Sequence, residues 1–407
     1  MPVPHWETTV LDNGTRLVEV NMGTQSLVSL EIIHFASRVQ EDKKGASRAV
    51  ARLLREGTTG TLSKDISEKV DYHGASLSTG ANLDFSFIKL FTLSRHFKEL
   101  LPIVKEVRYN PVFPQSELDR YVENNIQKLA VDAAKVELQA YKAITEHIYG
   151  DDHPYGYNSD HQIFKSLRQQ DLQAHFENCY GSDNCIIILS GRITPDVRAA
   201  TIEAFGKKSQ AVLLKPYQEA NKLTDFNRID ITASEKSQSG LKIGTPLFNR
   251  AHADFPGIFV LNTVLGGYFG SRLMMKIREE KGYTYSIYSG LDMMKNDGYF
   301  FVSTEVANEY LADTIGTVYE EIEKLKQELV PEEELTMIKN YLRGNFLNML
   351  DGPFKVAGLV KLLEVNNLPK DFFTALSEYV GDVSSEEIRQ YARQYLKPDE
   401  MVEVVVG

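Results

Sequence analysis

The feature that most constrains the fold of this chain is an internal repeat. Three short segments of the first half recur in the second half, in the same order and at nearly constant separation. The matched pairs are residues 74–78 with 282–286, 114–118 with 331–335, and 184–191 with 400–407. Ordered matches favour duplication over chance, because self-similarity is the signature of a repeated structural unit. The 407 residues are therefore predicted to form two domains of similar plan, 1–206 and 231–407, joined by a polar linker at 207–230.

Local patterns predict strands and helices within each half. Alternating polar and apolar residues around Asn13-Gly14 predict a hairpin over residues 8–35, since Asn-Gly is a common hairpin turn. Helical periodicity runs from Gly45 to Glu56 and begins again after Pro114. Pro114 and Pro331 are each predicted at the first position of a helix, where proline is favoured and the following acidic residues suit the helix dipole.

A helix followed by a strand is predicted past the middle of the chain. Residues 273–277 supply an apolar helical face, and Gly282 suits a helix stop in the left-handed conformation. The β-branched and aromatic residues 283–288 are typical of a strand. Arg278 and Tyr285 lie on either side of this junction, so a cation and a phenol can converge there. The same local pattern also fits a surface arginine and a packed tyrosine.

Charge and composition exclude several classes of protein. The net charge is -11 and basic runs are absent, which argues against nucleic-acid binding. No stretch reaches 18 uninterrupted apolar residues, so no membrane span is predicted. Cys179 and Cys185 cannot supply a disulfide framework or a four-ligand metal site, and free thiols are expected. Residues 1–6 lack signal-peptide features, so a cytoplasmic location is expected, or a periplasmic one if a leader has been removed.

Several motifs spread over nearly the whole chain are weak singly and specific together. They are Leu11-Asp12-Asn13-Gly14, Gly57-Thr58, Phe113-Pro114, His153-Pro154-Tyr155-Gly156, Leu265-Gly266-Gly267, Ser271-Arg272-Leu273 and residues 278–286. With them the chain resembles the M16 (insulinase-like, or pitrilysin) metallopeptidase family, in its shorter two-domain bacterial form related to mitochondrial processing peptidase. The resemblance implies an α+β fold of two duplicated M16-type domains, each a mostly antiparallel sheet packed with helices.

The zinc motif of this family is missing. Members that cleave peptides carry His-x-x-Glu-His shortly before a Gly-Thr pair, with two zinc-binding histidines and a glutamate that activates water. The corresponding positions here, counted back from Gly57-Thr58, are Arg48, Ala51 and Arg52. The third family ligand, a glutamate in the long helix, falls near residues 127–129, where no carboxylate is present. The resemblance thus implies no metal in this chain, and zinc is expected in a partner subunit.

Other potential ligands follow no metal-binding pattern. One group lies near the middle of the chain and is interpreted as a polar surface loop. Its members are Glu146, His147, Asp151, Asp152, His153 and His161. Five further histidines are interpreted as isolated structural or surface residues. They are His34, His73, His96, His175 and His252.

Three arginines have the spacing of one helix face. Arg48, Arg52 and Arg55 lie at positions i, i+4 and i+7, opposite apolar residues of the same predicted helix. They form either a solvated basic face or a lining of the inner chamber where zinc would sit in a catalytic relative. In the second case they would bind an acidic partner surface or a substrate carboxylate.

An arginine and a tyrosine seven residues apart complete the active site of M16 enzymes opposite the zinc, and Arg278 and Tyr285 match that spacing. The resemblance implies that Arg278 grips a substrate carbonyl while Tyr285 donates to the oxyanion. Tyr283, two residues earlier on the predicted strand, is a further candidate for substrate binding because strand residues two apart share a face.

The leading hypothesis is therefore a zinc-free subunit of a heteromeric M16 peptidase. A homologous partner would carry His-x-x-Glu-His, and a peptide substrate would add as a strand to a sheet edge. Two alternatives stay open. One is a catalytically inactive scaffold or peptide-binding subunit of the M16 fold, and the other is a homodimeric peptide-binding protein.

Overall fold

The structure is a computed structural model that describes residues 3–207, 211–220, 228–233 and 237–407. The first half contains β1 (Glu7–Val10), β2 (Arg16–Asn21), β3 (Leu27–His34), α1 (Ala46–Leu53), α2 (Ser63–Tyr72), β4 (Ser76–Ala81), β5 (Ser86–Leu93), α3 (Phe97–Tyr109), α4 (Gln115–Asp132), α5 (Val136–Tyr149), α6 (His161–Ser166), α7 (Gln169–Cys179), β6 (Cys185–Gly191) and α8 (Pro195–Phe205). The second half contains β7 (Arg228–Ile231), β8 (Gln238–Leu247), α9 (Phe255–Leu265), a π-helical segment (Met274–Glu280), β9 (Ile287–Met293), β10 (Gly298–Ala307), α10 (Leu311–Gln327), α11 (Glu332–Met349), α12 (Pro353–Asn366), α13 (Phe372–Asp382), α14 (Ser385–Tyr395) and β11 (Val402–Val406). Short 3-10 turns lie at Arg38–Gln40, Ser94–His96, Asn308–Tyr310 and Pro398–Glu400.

Two sheets of the same topology organise these elements. The first has the strand order β1-β2-β6-β3-β5-β4, and the second has the order β7-β11-β8-β10-β9. In each sheet one neighbouring pair is parallel, β2 with β6 and β7 with β11, and the other pairs are antiparallel. The two orders coincide when β2 is matched with β7 and β6 with β11. The predicted α+β fold with two mostly antiparallel sheets is confirmed.

The repeated segments lie at equivalent elements of the two halves. Gly74 and Gly282 have φ angles of 59° and 68° and precede β4 and β9. Pro114 and Pro331 precede α4 and α11, with ψ angles of 139° and 143° that are not helical. The prediction that these prolines occupy the first helical position is therefore wrong by one residue. Proline fits the cap equally well because its missing N–H has no intrahelical partner at either position.

One helix from each half packs against the sheet of the other half. α5 packs against β8 and β11, and α12 packs against β2 and β6. The buried face of α5 repeats every four residues, as an amphipathic helix requires. It consists of Val136, Ala140, Ile144 and Ile148, clustered with Val402, Val404 and Val406 of β11. Since burying one large aliphatic side chain contributes about 1.5–3 kcal/mol, this exchange of helices binds the halves together.

Polar contacts add to the junction between the halves. The Tyr155 hydroxyl donates to Asp84 Oδ1 at 2.5 Å, and the backbone N–H of Lys295 donates to Asp84 Oδ2 at 3.0 Å. The Asn296 amide donates to the Tyr155 oxygen at 3.1 Å. One carboxylate of the first half is thus held by groups from both halves.

Among the helices that the structure describes, none is long and apolar enough to cross a membrane.

The segment predicted as a linker, residues 207–230, lies partly within the described residues. The backbone N–H of Lys215 donates to Gln40 Oε1 at 2.7 Å, which ties the segment to the first half. β7 begins at Arg228 and pairs with β11, so residues 228–230 are part of the second sheet. Residues 208–210 and 221–227 lie outside the described residues.

Candidate functional site

The π-helical segment Met274–Glu280 ends at a glycine that redirects the chain. Gly282 has φ of +68°, and its N–H donates to the Arg278 carbonyl at 3.1 Å. The N–H of Tyr283 donates to the Ile277 carbonyl, also at 3.1 Å. Left-handed backbone at a helix end favours glycine because other residues carry a Cβ. The predicted helix stop at Gly282 is confirmed.

The strand predicted at residues 283–288 begins later than expected. β9 starts at Ile287, and residues 283–286 precede it outside the sheet. Side-chain hydroxyls hold this segment beside β10 instead of a backbone ladder. The Thr284 hydroxyl lies 2.7 Å from the Glu305 carbonyl, and the Thr304 hydroxyl lies 2.9 Å from the Ser286 carbonyl. Tyr283 and Tyr285 are not on a strand, so strand periodicity does not place their side chains on one face.

Arg278 and Tyr285 converge, as their positions around the helix end suggest. The Arg278 guanidinium carbon lies 4.8 Å from the Tyr285 ring centre and 4.8 Å from the Phe269 ring centre. Tyr285 is 85% exposed and Phe269 is 60% exposed. Both rings lie within the distance of a favourable cation–π contact with the guanidinium. Sequence reasoning missed Phe269, since no spacing rule marks an exposed aromatic residue nine positions before the arginine.

Tyr283 has different neighbours from Tyr285. Its ring stacks on the Tyr310 ring at 4.2 Å with an interplanar angle of 4°, and the Lys281 ammonium lies 5.5 Å from its centre. A hydrogen bond with the Asp313 carboxylate raises the pKa of Tyr283. Tyr283 is therefore fixed against the start of α10, whereas Tyr285 projects into solvent.

Both tyrosines nevertheless line one cavity of about 440 Å³, the corner cavity. Its lining consists of residues 282–286 with Glu137, Gln238, Tyr288, Thr304 and Glu305. Glu137 comes from α5 of the first half, and the Tyr288 hydroxyl donates to it at 3.1 Å. Burial raises the pKa of Tyr288, and the Glu137 carboxylate adds to this effect. The corner cavity thus combines hydroxyl donors with carboxylates from both halves of the chain.

The positions of the missing zinc motif lie on α1. Arg48 and Arg52 are exposed, while Ala51 is buried. Zinc does not fit here, because a guanidinium has no lone pair to donate and alanine has no donor atom. The helix is shorter than predicted and ends at Leu53. Arg55 lies beyond it and donates to the Leu77 carbonyl, so the predicted face of three arginines reduces to Arg48 and Arg52.

Arg48 and Arg52 line a second cavity of about 440 Å³, the α1–α4 cavity. Its other lining residues are Leu53, Glu56, Gly80, Ala81, Glu117, Arg120, Tyr121, Asn124 and Asn125. The residues that α4 contributes to this cavity end at Asn125, and residues 127–129 are not among its lining. The placement of the third family position near 127–129 stays a prediction. The cavity wall also includes two carboxylates, Glu56 and Glu117.

The histidines that sequence analysis treats as isolated include one pair in contact. The rings of His73 and His96 lie 4.7 Å apart, and His73 Nε2 lies 3.4 Å from Glu99 Oε2. Within the described residues, these three form the one group of His, Cys, Asp and Glu with metal-ligand proximity, their ligand atoms lying within 4.8 Å. Arg95 donates to His96 Nε2 at 3.1 Å. That fixed positive charge beside the imidazole opposes a metal cation.

The cluster between residues 146 and 161 is engaged in other contacts. Asp152 pairs with Lys44 at 2.7 Å, and the His153 ring stacks on Tyr149 at 5.5 Å. Cys179 and Cys185 are free, as predicted, and both are buried. Burial raises the pKa of their thiols to about 12 and about 11. Buried thiols of this kind are poor nucleophiles.

A family profile described as the peptidase M16 inactive domain matches residues 166–342, a range that includes both Arg278 and Tyr285. The predicted resemblance to the M16 family is thereby confirmed. Among similar proteins, the "Uncharacterized zinc protease YmxG" of Bacillus subtilis is 23% identical, covering 83% of this chain and 83% of its own length. The "Non-peptidase homolog YmxG" of Helicobacter pylori is 20% identical over 94% of this chain and 90% of its own length.

A solved structure has the same fold over almost the full length of this chain. It is the crystal structure of a peptidase M16 inactive domain from Pseudomonas fluorescens. The TM-score is 0.90 at 23% sequence identity, and the superposition covers 99% of this chain and 98% of the other.

Proposed function

We propose that this chain is the zinc-free subunit of a heteromeric M16-type peptidase. A homologous partner with His-x-x-Glu-His would hold the zinc, and this chain would supply Arg278 and Tyr285 to a peptide substrate. The observation that carries the proposal is the pair itself, a guanidinium 4.8 Å from a phenol ring that is 85% exposed. The exposed Tyr285 ring adds little to the core, so contact with another molecule is the better explanation for its position beside Arg278.

The chemistry of the two side chains suits substrate contact. Arg278 has five N–H donors in a fixed fork, and its Nε lies 3.4 Å from Glu279 Oε1, which leaves the terminal N–H groups for a substrate carbonyl. The Tyr285 hydroxyl can donate to an oxyanion as it forms. One such donor contributes on the order of 3–4 kcal/mol to lowering the barrier. Tyr283, on the same cavity, would contact the peptide farther from the bond that is cleaved.

An inactive scaffold or peptide-binding subunit of the M16 fold is the second candidate. The description of the Helicobacter pylori relative as a non-peptidase homolog favours it. A scaffold has no use for the Tyr285 hydroxyl, whereas a complementing subunit needs it. The two functions therefore differ in their response to loss of that one oxygen.

The deciding experiment is to co-express this chain with a homologue from the same genome that carries His-x-x-Glu-His. Turnover of an unfolded peptide is then measured for the purified complex and for each chain alone. We expect activity only in the complex. Tyr285→Phe should lower kcat by about 100- to 1,000-fold while the zinc content of the complex stays unchanged, because it removes one oxyanion donor.

Tyr341→Phe is a matched control, since Tyr341 is a partly exposed tyrosine on α11 outside the corner cavity. It should leave kcat unchanged. Full activity of the Tyr285→Phe complex would exclude the catalytic role, and a complex that forms without any turnover would favour the scaffold.

A further inference from the structure

The α1–α4 cavity contains cations that the proposed function does not use. Arg48 and Arg52 lie four residues apart on α1, which places both guanidiniums on one face of the helix. Neither side chain makes a hydrogen bond or ion pair with the residues that the structure describes. Arg55, just beyond the helix, does have a partner in the Leu77 carbonyl. The two charges on the cavity wall are thus available to a ligand.

The acidic groups of the same cavity already have partners. Glu117 accepts from Arg120 at 2.9 Å, and Glu56 accepts from the Ser63 hydroxyl at 2.7 Å. Arg55 Nε also lies 3.8 Å from Glu56. Because Arg120 pairs with Glu117 and Arg55 lies beside Glu56, other cations balance these carboxylates and the charges of Arg48 and Arg52 remain. The remaining groups of the cavity therefore favour an anion.

A buried hydroxyl adds an independent observation. Tyr121 is 8% exposed, and its hydroxyl oxygen is closed to solvent and has no hydrogen-bond partner within the described residues. Leaving such a group unpaired costs about 1–3 kcal/mol. Burial raises the pKa of Tyr121 to about 12, while the nearby charges of Arg48 and Arg52 act in the opposite direction. Tyr121 lines the same cavity as Arg48 and Arg52, so its phenol is placed to act as a further donor there.

We propose that the α1–α4 cavity binds the carboxylate of a peptide, held by Arg48 and Arg52 with Tyr121 as a further donor. Two guanidiniums and a hydroxyl match the acceptor oxygens of a carboxylate, which arginine binds in bidentate geometry. Gly80 and Ala81, at the end of the outermost strand β4, also line the cavity, so it lies beside a sheet edge. That the carboxylate belongs to a peptide rests on the proposed function, whereas the anion site itself rests on the cavity.

The test uses the full chain alone and three short fluorescent peptides of one uncharged sequence. The first has a free C-terminal carboxylate, the second has a C-terminal amide, and the third has the amide and an aspartate as its last residue. Binding is followed by fluorescence anisotropy. We expect at least one carboxylate peptide to bind about tenfold more tightly than the neutral peptide, the equivalent of one charge-assisted hydrogen bond. The preferred peptide identifies the source of the carboxylate.

Variants locate the binding. The double variant Arg48→Gln with Arg52→Gln should abolish the preference, and Tyr121→Phe, which keeps the ring, should reduce it. Arg95→Gln, an exposed arginine outside the cavity, is the control and should retain it. Equal binding of all three peptides to the wild type would overturn the proposal, as would a full preference in a folded double variant. Tyr285→Phe should leave the preference unchanged, so failure of the proposed catalytic role is distinguishable from failure of this site.

Discussion

At the scale of single residues, the arrangement around Arg278 explains how an arginine near solvent can hold one position. A free arginine side chain loses about 2 kcal/mol of conformational entropy when it is fixed. Two aromatic rings offset part of this cost, since the Phe269 and Tyr285 ring centres each lie 4.8 Å from the guanidinium carbon. Under the proposed function, Phe269 would therefore be a positioning residue, which acts on a substrate through Arg278.

Phe269→Leu removes one of the two rings and leaves the cation in place. An exposed cation–π contact contributes about 0.5–1 kcal/mol, so we expect the KM of the complex with its partner to rise about two- to fivefold. The value of kcat should change little, because the Tyr285 hydroxyl is retained. Tyr72→Leu, which removes an exposed ring from the first half, is the control and should change neither constant. A large fall in kcat with unchanged KM would contradict the positioning role.

At the scale of elements, the positions of Arg278 and Tyr285 depend on how the π-helical segment Met274–Glu280 ends. Gly282 turns the chain away from the π-helical segment with φ of +68°, and no atom lies near its absent Cβ. A side chain at this position would meet no neighbour, so any cost of adding one comes from backbone conformation alone. This allows the two effects to be separated by substitution.

Gly282→Ala should lower the free energy of unfolding by about 1 kcal/mol, because alanine disfavours left-handed backbone. Gly344→Ala is the matched control. Gly344 also has open space at its Cβ but lies within α11 at ordinary helical φ, so alanine there should raise stability by about 0.5–1 kcal/mol. Urea unfolding measures both variants. Equal effects of the two substitutions would show that Gly282 does not end the helix as described.

Comparison of particular elements shows which parts of the fold were predictable. The duplicated order of strands followed from matched segments, and the helix stop followed from one glycine with a local conformational requirement. The start of β9 was placed four residues early, because Thr284 and Thr304 hydroxyls replace ladder bonds that the β-branched sequence favours. α1 was predicted too long for a similar reason, since Arg55 leaves the helix to bond a distant strand carbonyl.

The candidate site was predictable only in its local part. Arg278 and Tyr285 are close in sequence and their convergence follows from the helix end between them. Glu137 reaches the corner cavity from α5, and Asn124 and Asn125 of α4 line the α1–α4 cavity. These placements depend on how α4 and α5 pack against other elements. Spacing within the chain does not encode that packing.

At the scale of the whole molecule, the exchange of α5 and α12 joins the halves into one cooperative structure. The single tryptophan, Trp6, illustrates this, because it is buried in a cluster that contains Ile33 of the first sheet and Leu241 of the second. Its fluorescence therefore reports on contacts from both halves. We expect the fluorescence transition and the circular dichroism transition to coincide during unfolding, as a two-state process requires.

Acid should destabilise this structure through histidines buried without charge. Burial lowers the pKa of His175 from 6.5 to about 4 and lowers that of His34 well below 6.5. Above pH 6.5 both rings are neutral in the folded and unfolded chains. Between pH 6.5 and about 4 the unfolded chain binds a proton at His175 that the folded chain does not, so the free energy of unfolding falls as pH falls. For His175 alone this loss reaches roughly 3 kcal/mol.

His175→Gln removes this proton linkage. Urea unfolding followed by Trp6 fluorescence from pH 7 to pH 4 should show a shallower loss of stability in the variant than in the wild type, by up to roughly 3 kcal/mol at the acid end. His161→Gln, at an exposed histidine, should retain the wild-type slope. Parallel curves for wild type and His175→Gln would mean that His175 titrates normally in the folded chain. Because the two halves share a core, the effect should appear in the single transition of the whole molecule rather than in partial unfolding of the first half.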